Sequence, residues 1–292
     1  MIDPNTKLIT ILGPTASGKT DLALDLAERF GGEIICADSR TIYRGMDIGT
    51  AKPTAEEQAR VPHHLLDVVD PGETLSVAAF KRLAENAIER IVGRGNVPFI
   101  VGGSGLYIDA LLFDYQFPAE ADPERRVRLD GMTTLELQEL LAAEDPEAFE
   151  MIDQANRRRL IRAIETVGQD RTKRTVPRAE TLILGLGLNK EFVHNRIPLR
   201  IEKMLERGLL DEVRAIGETY GWESEAMTGI AYRVFKDVVL GTKTEAEAAA
   251  ECAHGEMQLV KKQLTWFKRN KSIQWLDDSA AAETMVRQFL QK

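Results

Sequence analysis

The sequence predicts an α/β fold in which a parallel sheet carries helices on both faces, interrupted by a mainly helical insertion. Two observations predict it. Short β-type runs recur, each ending in a turn and followed by helix-like sequence, and that alternation places parallel strands under helical cover. Between residues 118 and 181 the strand signal vanishes and apolar positions take helical spacing. A chain of 292 residues, 43% of them hydrophobic, is long enough for more than one core.

The elements follow in order. Residues 7–12 (KLITIL) form a strand leading into the loop GPTASGKT and an amphipathic helix over 21–30. Residues 33–36 (EIIC) form a strand that stops just before Asp38. Residues 97–101 (VPFIV) run into GGSG and a helix over 106–112. A further strand spans 181–188 (TLILGLGL), a helix 190–207, and a short late strand 272–276 (SIQWL). The stretch 210–270 is mostly helical, with a break at 221–229. Residues 38–73 show little periodicity, and a long polar loop in a compact domain is usually functional. Thr133 and Thr134 with Glu136 mark a helix start inside the insertion. The expected division is therefore residues 1–118 with 181–292, and an insertion at 119–180. Ligands of such sheets bind beyond the carboxyl ends of the strands.

Composition excludes several classes. No uncharged apolar run approaches the ~20 residues that span a bilayer, and the start MIDPNTKLITIL lacks the basic region and cleavage site of a signal peptide. Two cysteines, Cys36 and Cys252, provide neither a disulfide framework nor a Cys-rich zinc site. A cytoplasmic monomer without membrane contact is the expectation. With 38 Lys+Arg against 46 Asp+Glu the net charge is −8, which argues against a general nucleic-acid coat. The charge is uneven, however. Residues 157–178 hold eight basic side chains against two acidic ones, and residues 258–272 hold five basic ones and no acid.

Residues 13–20 fit G-x-x-x-x-G-K-S/T. Such a loop converges backbone N–H groups on phosphate oxygens, Lys19 adds a point charge, and Thr20 is placed to ligate Mg²⁺. The motif carries an expectation of nucleotide binding, ATP included, and on spacing alone a P-loop kinase leads. Asp38 would then serve the metal or the acceptor hydroxyl, or merely turn the chain. His63 and His64 lack further ligands at metal spacing. Residues 102–105 (GGSG) read as a second phosphate nest or a tight turn. Trp266 in KKQLTWFKRNK suits either base stacking beside cations or a helix core.

The strings GPTASGKT, DSRTIYRGMDIGTAKPT, PHHLLDVVDPGE and VGGSGLYIDALL occur in that order. They are followed by ADPERR (121–126), NRRRLIRAIE (156–165), RIPLRIEKMLERGLLDEV (196–213), GIAYR (229–233) and KKQLTWFKR (261–269). Together they resemble the tRNA dimethylallyltransferase family across nearly the whole chain. The resemblance implies a P-loop NTPase-like sheet with a helical insertion that binds tRNA. It implies transfer of a dimethylallyl group from dimethylallyl diphosphate to N6 of the adenosine 3′ of the anticodon, in tRNAs reading codons that begin with U. Asp38 is then the general base. The loop Gly13, Pro14, Thr15, Ala16, Ser17, Gly18, Lys19 and Thr20, with Mg²⁺ on Thr20 and Arg200 beside Arg196, holds a leaving diphosphate rather than a nucleoside triphosphate. Ser104 stands where relatives usually carry Thr. Ser39, Arg40 and Thr41 match the segment that contacts the base, with Thr41 where many relatives have Gln. Arg126, Arg158, Arg159, Leu160, Ile161 and Arg162 match stretches that grip the anticodon stem-loop. So do Lys261, Lys262, Gln263, Leu264, Thr265, Trp266, Phe267 and Lys268. Prenylation of free adenine nucleotides is the neighbouring alternative, and a small-molecule kinase the more distant one. The chain closes without the Cys/His array that eukaryotic relatives often append, so a bacterial type is expected.

Overall fold

The computed structural model describes residues 2–117, 122–168, 174–178, 180–187, 189–276 and 279–292. The chain divides into two compact units, residues 1–114 with 175–292, and residues 115–174.

The larger unit is built on one parallel sheet. Its strands are β1 (Leu8–Leu12), β2 (Gly32–Cys36), β3 (His63–His64), β4 (Val97–Gly102), β5 (Thr181–Gly185) and β6 (Gln274–Trp275), in the order β3-β2-β4-β1-β5-β6. Strand side chains alternate between faces. Leu8, Leu12, Ile35, Ile100 and Ile183 meet α3 (Val77–Gly93) and α4 (Gly105–Leu112). Ile9, Ile11, Ile34, Phe99, Leu182 and Leu184 meet α1 (Lys19–Arg29) and the last helix, α13 (Ser279–Gln291). Both faces are buried, which is why these strands read as continuous apolar runs.

A third core joins α9 (Lys190–Glu206), α10 (Leu209–Tyr220), α11 (Ile230–Val239) and α12 (Glu245–Phe267). Ile42, Tyr43 and Met46, from the segment after β2, pack into it. That segment is therefore not a bare polar loop. It contains α2 (Ala55–Arg60), whose Thr54–Glu57 capping box is visible in the sequence but whose six residues bury nothing. It is also tied by Lys52, whose side chain is 3% exposed and donates to Asp47 and Asp67 at 2.5 Å each and to the Tyr43 carbonyl at 2.8 Å.

The smaller unit packs α5 (Pro123–Gly131), α6 (Thr134–Glu144), α7 (Pro146–Met151) and α8 (Arg157–Glu165) around Leu129, Leu137, Leu141, Leu160, Ile161 and Ile164. Thr133 and Glu136 form the capping box expected for α6. The boundaries fall a few residues earlier than 119 and 180. Arg178 explains the second: it is buried, its N–H donates to the Leu112 carbonyl and its guanidinium to those of Ile2 and Asp3, so it belongs to the sheet-bearing unit. Arg171 and Lys173 of the same basic run, and Leu188 of the expected fifth strand, lie outside the described residues. That strand ends at Gly185 because Gly187 turns at φ +95°, where a Cβ would lie 2.6 Å from Pro14.

On β2, buried Glu33 accepts hydrogen bonds from Arg94, from Asn96 at 2.7 Å and from His64 at 2.6 Å. Arg94 above all, with Asn96 and His64, holds the carboxyl at about 2, well below the usual carboxylate range. A group depressed in the fold stabilises above its unfolded pKa, and that contribution is lost as pH falls toward 2. Glu33→Gln is expected to cost roughly 1–3 kcal/mol near neutrality. Urea denaturation of both forms should show the gap closing below about pH 4, where the ordinary carboxylate protonates.

Candidate active site

The parallel register brings the carboxyl ends of β1, β2 and β4 to one edge of the sheet, and the chain leaves each strand there in a loop. The three loops and parts of α9, α11 and α12 line a cavity of about 550 Å³. Lys19, Thr20, Asp38, Ser104 and Arg200 all line it.

The phosphate loop opens α1. Gly18 is the N-cap and provides no side chain to the helix's first N–H groups, so they remain available to an anion. Lys19 donates to the Pro14 carbonyl at 3.1 Å, folded back over its own loop. Burial drives its pKa down to about 8, with Arg200 pushing the same way and Asp38 and Glu256 opposing. Thr15 and Ser17 are buried in the same turn. Arg200 donates to the Thr15 hydroxyl at 2.6 Å and approaches the Thr50 carbonyl at 3.5 Å, while its buried Nε finds no partner among the described residues. A buried unpaired donor calls for an explanation, and an anion in the cavity provides one. Arg196, one helical turn before Arg200, lies 3.7 Å from Asp21 and stacks on Phe192.

Asp38 follows β2 and accepts the Arg40 N–H at 2.8 Å. Ser39 donates its N–H to the Ser104 hydroxyl at 2.9 Å, which joins the second loop to the third. Arg40 donates to the Glu225 carbonyl at 3.2 Å. Thr41 is buried and its hydroxyl has no partner among the described residues.

Other features of the site leave no trace in the sequence pattern. Glu212 accepts N–H groups from Asp47, Ile48 and Gly49 at 2.8–2.9 Å and the Tyr232 hydroxyl at 2.6 Å, and so holds the segment that places Thr50 beside Arg200. Three of these partners are backbone groups about 165 residues away, for which no local motif exists. His63 and His64 diverge, one toward the Val61 carbonyl and the other toward Glu33. Among the described residues no group of three or more His, Cys, Asp or Glu is arranged to hold a metal. The hard oxygen of Thr20 nonetheless suits Mg²⁺, which is usually held by one or two protein oxygens and substrate phosphates.

The residues matched to RNA-contacting stretches separate into two sets. In the insertion, Arg126 pairs with Asp130 and buried Glu165, and Arg162 with Glu165. Arg157 instead closes the end of α5 through the carbonyls of Leu129, Asp130 and Met132. Arg158 and Arg159 are exposed, whereas Leu160 and Ile161 are core residues whose side chains are withdrawn from any macromolecule. On α12, Lys261, Lys262, Thr265 and Lys268 are exposed, and Leu264 and Phe267 are core for the same reason. Trp266 is no free stacking platform: its indole donates to Asp109 at 2.7 Å and its ring covers Gly105, where a Cβ would lie 2.4 Å from it. Gln263 bridges two loops, accepting the Thr15 N–H and donating to the Gly103 carbonyl, each at 3.0 Å.

The family model for IPP transferases matches residues 41–270. The chain is 42% identical over 284 residues to the tRNA dimethylallyltransferase of Desulforudis audaxviator, covering 92% of this chain and 91% of that one. It is 38% identical to that of Staphylococcus carnosus, with 96% and 93% covered. Among solved structures, the tRNA isopentenylpyrophosphate transferase of Bacillus halodurans superposes with a TM-score of 0.73 at 36% identity, covering 98% and 95%. A eukaryotic dimethylallyltransferase acting on tRNA gives 0.75 at 26% identity, covering 90% of this chain and 70% of that one.

Because burial pushes the Lys19 pKa down to about 8, anion binding at this loop should weaken above that pH. Calorimetric titration with inorganic diphosphate is expected to give tighter binding at pH 7 than at pH 9, and Lys19→Arg should flatten the difference.

Proposed function

The chain belongs to the IPP transferase family, and on that premise we propose that it moves a dimethylallyl group from dimethylallyl diphosphate to N6 of the adenosine 3′ of a tRNA anticodon, in tRNAs reading codons that begin with U. The observation that carries this reading is that a carboxylate, Asp38, lines the same cavity as a phosphate loop reinforced by Lys19 and Arg200. A kinase would use the loop for a triphosphate donor. Here the loop holds the leaving group of an alkyl transfer.

The chemistry assigns each side a task. The C1–O bond to diphosphate breaks as the N6–C1 bond forms. The adenine amino group is a poor nucleophile because its lone pair is delocalised, and its proton becomes acidic only as the new bond develops. Asp38 takes that proton; its Oδ1 is oriented by the Arg40 N–H. Negative charge grows on the departing diphosphate, where Lys19, the α1 N-terminus and Arg200 stabilise it. Mg²⁺, when bound by Thr20 and the diphosphate, supplies further charge neutralisation. The base reaches this cavity only after leaving its loop stack. Ser39, Arg40, Thr41 and Ser104 are the groups assigned to it, and the exposed cations of the insertion and of α12 to the RNA backbone. Action on free adenine nucleotides would leave those cations without a task.

One assay separates the readings: unmodified tRNA, AMP, ATP and labelled dimethylallyl diphosphate are supplied together. Label is expected in tRNA alone. Phosphoryl transfer without prenylation would sink the proposal. Asp38→Ala should slow transfer by roughly 10²–10⁴-fold with tRNA affinity largely kept, and an equal loss of affinity would make Asp38 a binding residue instead.

Arg159→Ala should weaken tRNA binding and lower the slope of log K against log salt by about one. Filter binding across a salt series measures it.

A further inference from the structure

The donor loop and the acceptor loop come from different strands, β1 and β2. A Cβ built on Gly103 would lie 3.3 Å from the Gly13 carbonyl oxygen, so the loops after β1 and β4 run close together. Gln263 crosses their junction. Its Oε1 accepts from Thr15 and its Nε2 donates to Gly103. A carboxamide meets both demands from one side-chain end, whereas a carboxylate cannot donate and an ammonium cannot accept. Thr15 is the residue whose hydroxyl Arg200 holds. Gly103 precedes Ser104, whose hydroxyl takes the N–H of Ser39, next to Asp38. One turn further along α12, Trp266 ties the same helix to Asp109 of α4. An unbroken path thus runs from the diphosphate clamp through Gln263 to the general base.

We propose that Gln263 is a positioning residue that fixes the separation between the diphosphate loop and Asp38, rather than a contact to RNA. The proposal rests on the alkyl-transfer reading above. Transfer requires the reacting carbon and nitrogen at about 3–3.5 Å, and a misplacement near 1 Å costs on the order of 10²-fold in rate. Loss of the bridge should therefore act on turnover. A residue that touched RNA would instead show itself in tRNA affinity.

Gln263→Met keeps length and removes both hydrogen bonds. In single-turnover transfer to tRNA, the rate is expected to fall roughly 10–100-fold, with KM for dimethylallyl diphosphate, tRNA affinity and the salt slope near those of the unaltered protein. Trp266→Phe keeps the aromatic cover and removes only the bond to Asp109. It should lower the same rate by a smaller factor, and it serves as the test if Gln263→Met fails to fold. Unchanged rates in both variants overturn the proposal, as does a loss of tRNA affinity that matches the loss of rate. If the unaltered protein transfers no label, the alkyl-transfer reading fails first. If it transfers label and the variants do so equally well, only the role of Gln263 fails.

Discussion

The site depends on a set of N–H groups that must stay unpaired. A helix N-terminus without a side-chain cap is costly alone, and an anion-binding loop requires it. Gly18 provides no cap to α1, Lys19 is held over its own loop, and the Thr15 amide is satisfied from α12. Everything that fixes this opening lies in the surroundings. The register of β2, β4, β1 and β5 carries three loops to one edge, and the helices beyond β5 close over them. The two buried faces of the sheet bear the stability that lets one edge remain polar and partly unsatisfied.

The fold was legible because both faces of the sheet are covered. Each central strand then reads as an apolar run, and each loop after it carries turn residues. The edge strands were harder. β3 is two residues long, pairs only with β2 and contains His63 and His64, so no β-pattern marks it. The capping box at Thr54 was present in the letters, yet six residues with no buried side chain give helical periodicity nothing to show. Lys52, Glu212 and Gln263 were illegible as structural groups for one shared reason. Each makes polar bonds to backbone or side chains that only the folded chain assembles.

Charge shows the same limit from the other side. The basic run 157–162 is real, but its members divide by helical face. Arg157 closes α5, Arg162 answers a buried glutamate, and Leu160 and Ile161 turn inward. Counting cations along the chain found the stretch but not the partners that Arg157 and Arg162 have within the fold. The KKQLTWFKR stretch divides likewise: its lysines are exposed, while Gln263 and Trp266 face the loops of the cavity.

Lys52 has a consequence for how the protein opens. Its single ammonium gathers Tyr43, Asp47 and Asp67, three points of the segment that walls one side of the cavity. Ile42 and Met46 anchor the same stretch in the core formed by α9–α12. To release Asp47 and Asp67 together is to strand a buried charge. The first part of the segment, 42–52, is thus tied to the core of those four helices, whereas His63–His64 and Leu65 are tied to the sheet, so one lysine joins a helix-anchored stretch to a sheet-anchored one.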